Sequence, residues 1–274
     1  MIAPERIARI PEGLREVLSA EDLIAIPVAG AEDVDRAYAI AAHAVMPGGE
    51  ERVRIVERAG QMVRSQRVKL MAMMALELGV PMGDALSDIR DAANLCLEFA
   101  ALGRRHFVTP ETLAGPTGET NRLHLVGRGT IACLSVHTPP LASLIGQIAA
   151  AFVAGNCVIV KPASENPLVS ALAIRILLRA GIPGAALAFL PGEWDPVGAA
   201  LIADRRCAGV AFAGPQEIAS AINRALAQRD GPLVPLITGI VPHAWYLMRF
   251  VNERTVTVNT TAAGGNTSLM TGLE

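Results

Sequence analysis

Lysine is almost missing from this chain: Lys69 and Lys161 are the only two, and arginine supplies the rest of the 24 basic residues. That preference reads as codon bias in the source genome. The formal net charge is −2, and no basic stripe stands out, which excludes the electrostatic footprint of a nucleic-acid binder. Charged residues make up 18% of the chain and apolar ones 51%, a balance that excludes wholesale disorder. The four cysteines, Cys96, Cys133, Cys157 and Cys207, form no CxxC pair, and each sits in an apolar surround. A metal site needs clustered ligands and a disulfide framework needs a secreted context, so free buried thiols in a reducing cytoplasm are expected and no metal is. The N-terminus, MIAPERIARIPEGLREVL, mixes charges through its apolar positions and has no secretory h-region. Between Gly129 and Val160 there is no Asp, Glu, Lys or Arg, which raises the question of a membrane span. His137, Pro139, Pro140, Gln147 and Asn156 interrupt the run, so a strand, a buried helix and a second strand explain it better.

What is present divides into two patterns. Residues 1–30 form a lead-in, with a short strand expected at 21–28. Helical periodicity then covers 33–45, 50–80 (one bent helix or two) and 82–107, where Leu86, Ile89, Ala93, Leu97 and Ala100 line one face. The methionines at 71, 73, 74 and 82 read as core filler. Residues 108–121, rich in Pro, Gly and Thr, read as a loop. Strand–helix alternation follows, with strands at 122–127, 130–136, 156–162, 186–192 and 207–214, and helices at 141–155, 168–181, 195–206 and 216–230. Gly181 is placed to cap the second of these helices. Nearly continuous apolar strands joined by helices argue for a parallel, doubly wound α/β sheet covered on both faces. The tail, ERTVTVNTTAAGGNTSLM (253–270), has the signature of a β-hairpin, which needs a partner strand because a lone hairpin is marginal in water. RLHLVG (122–127) or another chain could supply it, and docking on a partner is favoured. The resulting division is a lead-in (1–30), a helical part (31–121), a Rossmann-like core (122–240), and a linker with a hairpin flap (241–274).

Several motifs carry a resemblance. The segment 127–183, including Gly155-Asn156 and Lys161-Pro162, resembles the cofactor domain of aldehyde dehydrogenases. The flanks at 115–130, 221–237 and 253–270 are similar to the proline utilization A family, in which proline dehydrogenase is joined to glutamate-semialdehyde dehydrogenase. Longer members carry an additional, non-catalytic domain of this kind. The resemblance implies a Rossmann-like shell, with NAD as the cofactor of the parent family. It assigns vestigial cofactor-binding roles to Lys161 (adenosine ribose), Gly192, Gly198 and Gly214.

Other family positions are altered. Thr138 stands where the family places an oxyanion-binding Asn, and a threonine hydroxyl is a poor substitute for that amide. Ser164 aligns with the ribose carboxylate, and Glu165 follows it. Trp194 replaces a glycine of the phosphate region, while Ala213 and Pro215 replace hydroxyl residues, Pro215 also deleting an N–H. Ile237 precedes Thr238-Gly239 where the general-base Glu is expected, and the nucleophile motif with its whole domain is missing. No catalytic residue can be assigned, and no cofactor is expected for this chain. Three readings stay open: a structural cover and oligomerisation module docking through 253–274 on the glutamate-semialdehyde dehydrogenase part or on itself, a nicotinamide-dependent enzyme fragment, and a nucleotide-binding module.

Overall fold

The computed structural model describes residues 17–23, 26–113, 119–136, 138–240 and 244–259. Helices α1 (Ala31–Ala42), α2 (Gly49–Ser65), α3 (Arg67–Leu78) and α4 (Met82–Phe107) come first, so the long periodic stretch 50–80 is two helices. Strands β1 (Glu111–Leu113), β2 (Glu119–Gly127) and β3 (Thr130–Leu134) lead to helix α5 (Pro140–Val153). The alternation continues through β4 (Cys157–Lys161), α6 (Pro167–Ala180), β5 (Leu187–Phe189), α7 (Ala199–Ala203), β6 (Cys207–Phe212) and α8 (Gln216–Gln228). It closes with β7 (Leu236–Thr238), α9 (Ala244–Met248) and β8 (Val251–Asn259).

The main sheet has the order β5-β4-β3-β6-β7 and every pair in it is parallel. Side chains alternate across it. Ile131, Cys133, Val158 and Val160 face the layer formed by α2 to α6, whereas Ala132, Leu134 and Ile159 face α1, α7 and α8. All fourteen residues of α5 are buried, which accounts for the uncharged run without a membrane. No helix among the described residues is long and apolar enough to cross one. Met73 and Met74 are buried as core filler, and Gly181 ends α6 at φ 113°, a conformation that favours glycine.

Helices α5 and α6 both begin with proline and have no side-chain cap of their own. The N-terminal layer supplies the missing partners. Asp88 accepts from the amides of Leu141 (2.9 Å) and Ala142 (2.8 Å). Glu77 accepts from those of Leu168 and Val169, both at 2.7 Å. At the other ends, Arg52 donates to Val153 O and Arg58 to Ala180 O. Carboxylates therefore sit at the positive helix ends and guanidinium groups at the negative ones, as the helix dipole favours.

Three expectations are corrected, and the tail finds one of its two expected partners. The described part of 21–28 is not a strand: Ala20–Leu23 is a 3₁₀ turn, closed by Asp22 accepting from the amide and hydroxyl of Ser19. The loop at 108–121 contains β1 and the start of β2, which pair antiparallel with Glu111 opposite Leu123. The helix expected at 195–206 is only Ala199–Ala203, because an irregular turn over Trp194–Gly198 precedes it. In the tail, β8 pairs antiparallel with β2 along its whole length, Glu119 opposite Asn259 and Gly127 opposite Val251. The described part of TVTVNT thus pairs with residues 119–123 of its own chain, and RLHLVG pairs with residues 251–256; the hairpin turn and the returning strand lie outside the described residues.

Candidate functional site

The chain leaves β3 for β4 on one side, while β6 lies on the other side of β3. In open α/β sheets such a switch point, at the carboxyl ends of the strands, is where ligands enter. The residues there are Ser135 and Val136 after β3, Lys161 at the end of β4, Gly192 after β5, and Ala213, Gly214 and Pro215 after β6.

The three glycines assigned to the cofactor are brought to this edge; Gly198 is buried, Gly192 half-buried and Gly214 exposed, and the Cβ side of each is crowded by the chain's own side chains. A Cβ on Gly192 would lie 2.7 Å from Val197 Cγ2; one on Gly198 would lie 2.5 Å from Trp194 Cε3. One on Gly214 would meet Phe212 Cζ at 2.5 Å and Val136 Cγ1 at 2.7 Å. The Trp194 indole folds back over the turn before α7 and remains 39% exposed. A pyrophosphate needs bare backbone at a helix start. Val197 and Trp194 crowd the Cβ sides of Gly192 and Gly198, Phe212 crowds that of the exposed Gly214, and Pro215 offers no N–H at the start of α8. Trp194 and Pro215 at this edge oppose the approach of a dinucleotide's phosphates.

Lys161 is 8% exposed and its Nζ donates to Pro162 O at 3.0 Å. Burial lowers its pKa, and the carboxylates of Glu193 and Glu165 oppose that shift. Ser164 Oγ lies within reach of Gly192 O (3.4 Å) and Glu193 Oε2 (3.3 Å). This corner of the edge therefore holds a cation, a hydroxyl and carboxylates. Glu193 is the member of this group that reading along the chain missed, because it comes 28 residues after Glu165 and reaches the group only through the fold.

The chemistry-bearing positions of the family are otherwise filled. Thr138 is exposed; His137 lies outside the described residues. The first free amides of α5 are held by Asp88, itself 6% exposed. Burial raises the Asp88 pKa, while its bonds to those two amides pull it down. Ile237 is fully buried within β7, a strand that was not expected from the sequence. All four thiols are buried. Burial pushes Cys96 up to about 12 and raises Cys133 and Cys157 above the ordinary thiol range. A thiolate nucleophile needs the opposite shift. Among the described residues no three His, Cys, Asp or Glu side chains gather as metal ligands.

Asn156, matched by the family motif, has a structural task. Its Nδ2 donates to Ala151 O and Phe250 O, and its Oδ1 accepts from Gly129 N. It ties the start of β4 to the connector that leads into β8. That connector is sealed by aromatics: Tyr246 stacks on Phe99 at 5.8 Å, meets Phe250 edge-on at 5.4 Å, and donates to Gly239 O.

Known proteins share this architecture. The bifunctional protein PutA of Klebsiella aerogenes is 38% identical over 183 residues, covering 67% of this chain and 13% of that protein. The 1-pyrroline-5-carboxylate dehydrogenase of Anoxybacillus flavithermus is 30% identical over 169 residues, covering 62% of this chain and 33% of that one. A crystal structure of a Bradyrhizobium japonicum proline utilization A variant superposes with a TM-score of 0.75 at 39% identity, covering 78% of this chain and 22% of that chain. The chain thus spans only a small part of the proteins it matches. The model of the aldehyde dehydrogenase family matches residues 15–239, and the chain belongs to that family.

Proposed function

We propose that this chain is a non-catalytic aldehyde-dehydrogenase-like module of a cytoplasmic proline-catabolism protein, one that converts proline to glutamate. In this reading residues 31–240 are a cofactor domain that has lost its cofactor, and 241–274 are a linker and flap. The module covers the glutamate-semialdehyde dehydrogenase part, or a second copy of itself, and helps to retain the intermediate passing between the two active sites. The observation that carries the reading is the crowding of Gly192 and Gly198 by Val197 and Trp194, with Pro215 at the start of α8. The buried thiols and the isoleucine at the general-base position support it. Covalent aldehyde oxidation needs a nucleophile, a base and a hydride acceptor, and the described residues present none of them in a working arrangement. Docking would use the edge of β8 away from β2, which carries no partner strand among the described residues.

The test is direct. The purified chain, given glutamate semialdehyde and NAD, should form no NADH above a protein-free blank. Turnover that disappears on Cys133→Ala would overturn the proposal. One observation favours a second reading, a module that retains adenosine without chemistry: Lys161, Ser164 and Glu193 still gather at the ribose end. Saturable binding of adenosine, lost in Lys161→Met, would select it.

A further inference from the structure

A second group of charges lies away from the cofactor cleft. A cavity of about 90 Å³ opens between the turn Ala20–Leu23, α3 and α6, above an apolar floor supplied by α2 and α6. A single buried water needs roughly 10–15 Å³ of such space, so this one has room for a small ion. Its polar wall comprises Ser19, Glu21, Gln66, Lys69, Arg175 and Arg179, with Asp22 at the back.

Asp22 is 4% exposed and already saturated. Its Oδ2 takes Lys69 Nζ at 2.6 Å and both the amide and the hydroxyl of Ser19; its Oδ1 takes Arg175 at 3.0 Å. Asp22 therefore asks for no further cation. It fixes Lys69 and Arg175 at the wall and leaves them N–H groups to spare. Arg179 stands one turn beyond Arg175 on the same face of α6. Among the described residues its guanidinium has no hydrogen-bond or ion-pair partner. The wall thus carries three cations against two carboxylates, one of which is satisfied, and Glu21 is exposed.

We propose that this cavity binds a small oxyanion, the carboxylate or phosphate group of a metabolite-sized ligand. Arg179 is the principal donor; Lys69, Arg175 and Gln66 support it. A planar guanidinium matches either group with two parallel bonds. Asp22 holds two of the cations in place before the anion arrives, which reduces the ordering cost of binding. The site lies outside the cofactor cleft, so its existence does not depend on whether the cleft binds a dinucleotide.

Inorganic phosphate and, separately, glutamate are titrated calorimetrically into the full chain at low ionic strength, with sodium chloride of matched ionic strength as the reference. At least one should bind saturably, with a dissociation constant on the order of millimolar, and the one that binds names the ligand's chemistry. Arg179→Gln should weaken binding about ten-fold or more, the scale of one lost charge-assisted bond, without moving the melting temperature. Gln66→Ala should weaken it less, and Glu21→Gln should tighten it by removing a rim carboxylate. No saturable heat from either anion beyond the chloride reference, or binding that Arg179→Gln leaves unchanged, overturns the proposal.

Discussion

The two faces of the central sheet are built to different standards. On the face covered by α2 to α6, every polar helix end of α5 and α6 has a charged partner from a neighbouring helix: Asp88 and Glu77 at the starts, Arg52 and Arg58 at the finishes. At the carboxyl edge that borders α7 and α8, side chains of the same chain crowd the glycines, although Gly214 stays exposed. Trp194 lies on Gly198, Val197 on Gly192, and Phe212 on Gly214. The comparison teaches that stability and ligand binding are separable in this fold. The helical face draws stability from Asp88, Glu77, Arg52 and Arg58 at its helix ends, whereas the cleft edge carries an indole in place of a family glycine.

The comparison breaks first at Asp88. Asp88→Ala leaves two buried amides without an acceptor, and should cost about 3 kcal/mol in urea unfolding. A loss below about 1 kcal/mol would mean that the clamp is ornamental and the two faces do not differ.

Acid stability sharpens it next. Burial raises the Asp22 pKa, but the hydrogen bonds from Lys69 and Ser19 and the lysine charge outweigh that and leave it lowered. A lowered carboxyl stabilises the fold above its unfolded value, about 3.9, and the contribution is lost as pH falls through the lower folded value. Asp22→Asn should therefore flatten the acid limb of stability below about pH 4. Asp88 has the opposite sign, because burial raises it: ionising it lowers stability as pH rises above the unfolded carboxyl value. Asp88→Asn should remove that rising-pH loss, and an unchanged pH profile in both variants would contradict these assignments.

The smallest effect is expected at the cleft. Trp194→Gly removes a side chain that is 39% exposed and should cost only about 1 kcal/mol of stability. A loss as large as that of Asp88→Ala would show that the indole belongs to the core and does not merely cover a vacated ligand surface.

These differences also mark what was legible in the sequence. The strands β3, β4, β5 and β6 fall within the expected segments, because uninterrupted apolar runs bounded by Gly and Pro are a local signal. β1 and the first part of β2 were read as loop, since their Thr, Glu and Asn residues become strand only through pairing, β1 with β2 and β2 with β8. β7 was missed because three residues carry no periodicity, and its place is set by β6. In the site, the loss of the carboxylate before Thr238 and the intrusion of Trp194 were visible as residue identities. The coverings by Val197 and Phe212 were not, and neither were the clamps of Asp88 and Glu77, whose partners lie 53 to 92 residues away along the chain. Such contacts depend on where the helices land.

The central claim is that the cleft is obstructed by the protein's own side chains, and calorimetric titration of the intact chain with NAD tests it most directly. The account predicts no dissociation constant tighter than about 1 mM, equivalent to roughly 4 kcal/mol, with Trp194→Gly strengthening whatever weak binding exists. A micromolar constant in the unaltered chain would contradict it, because a dinucleotide would then be accommodated despite Trp194, Val197 and Pro215.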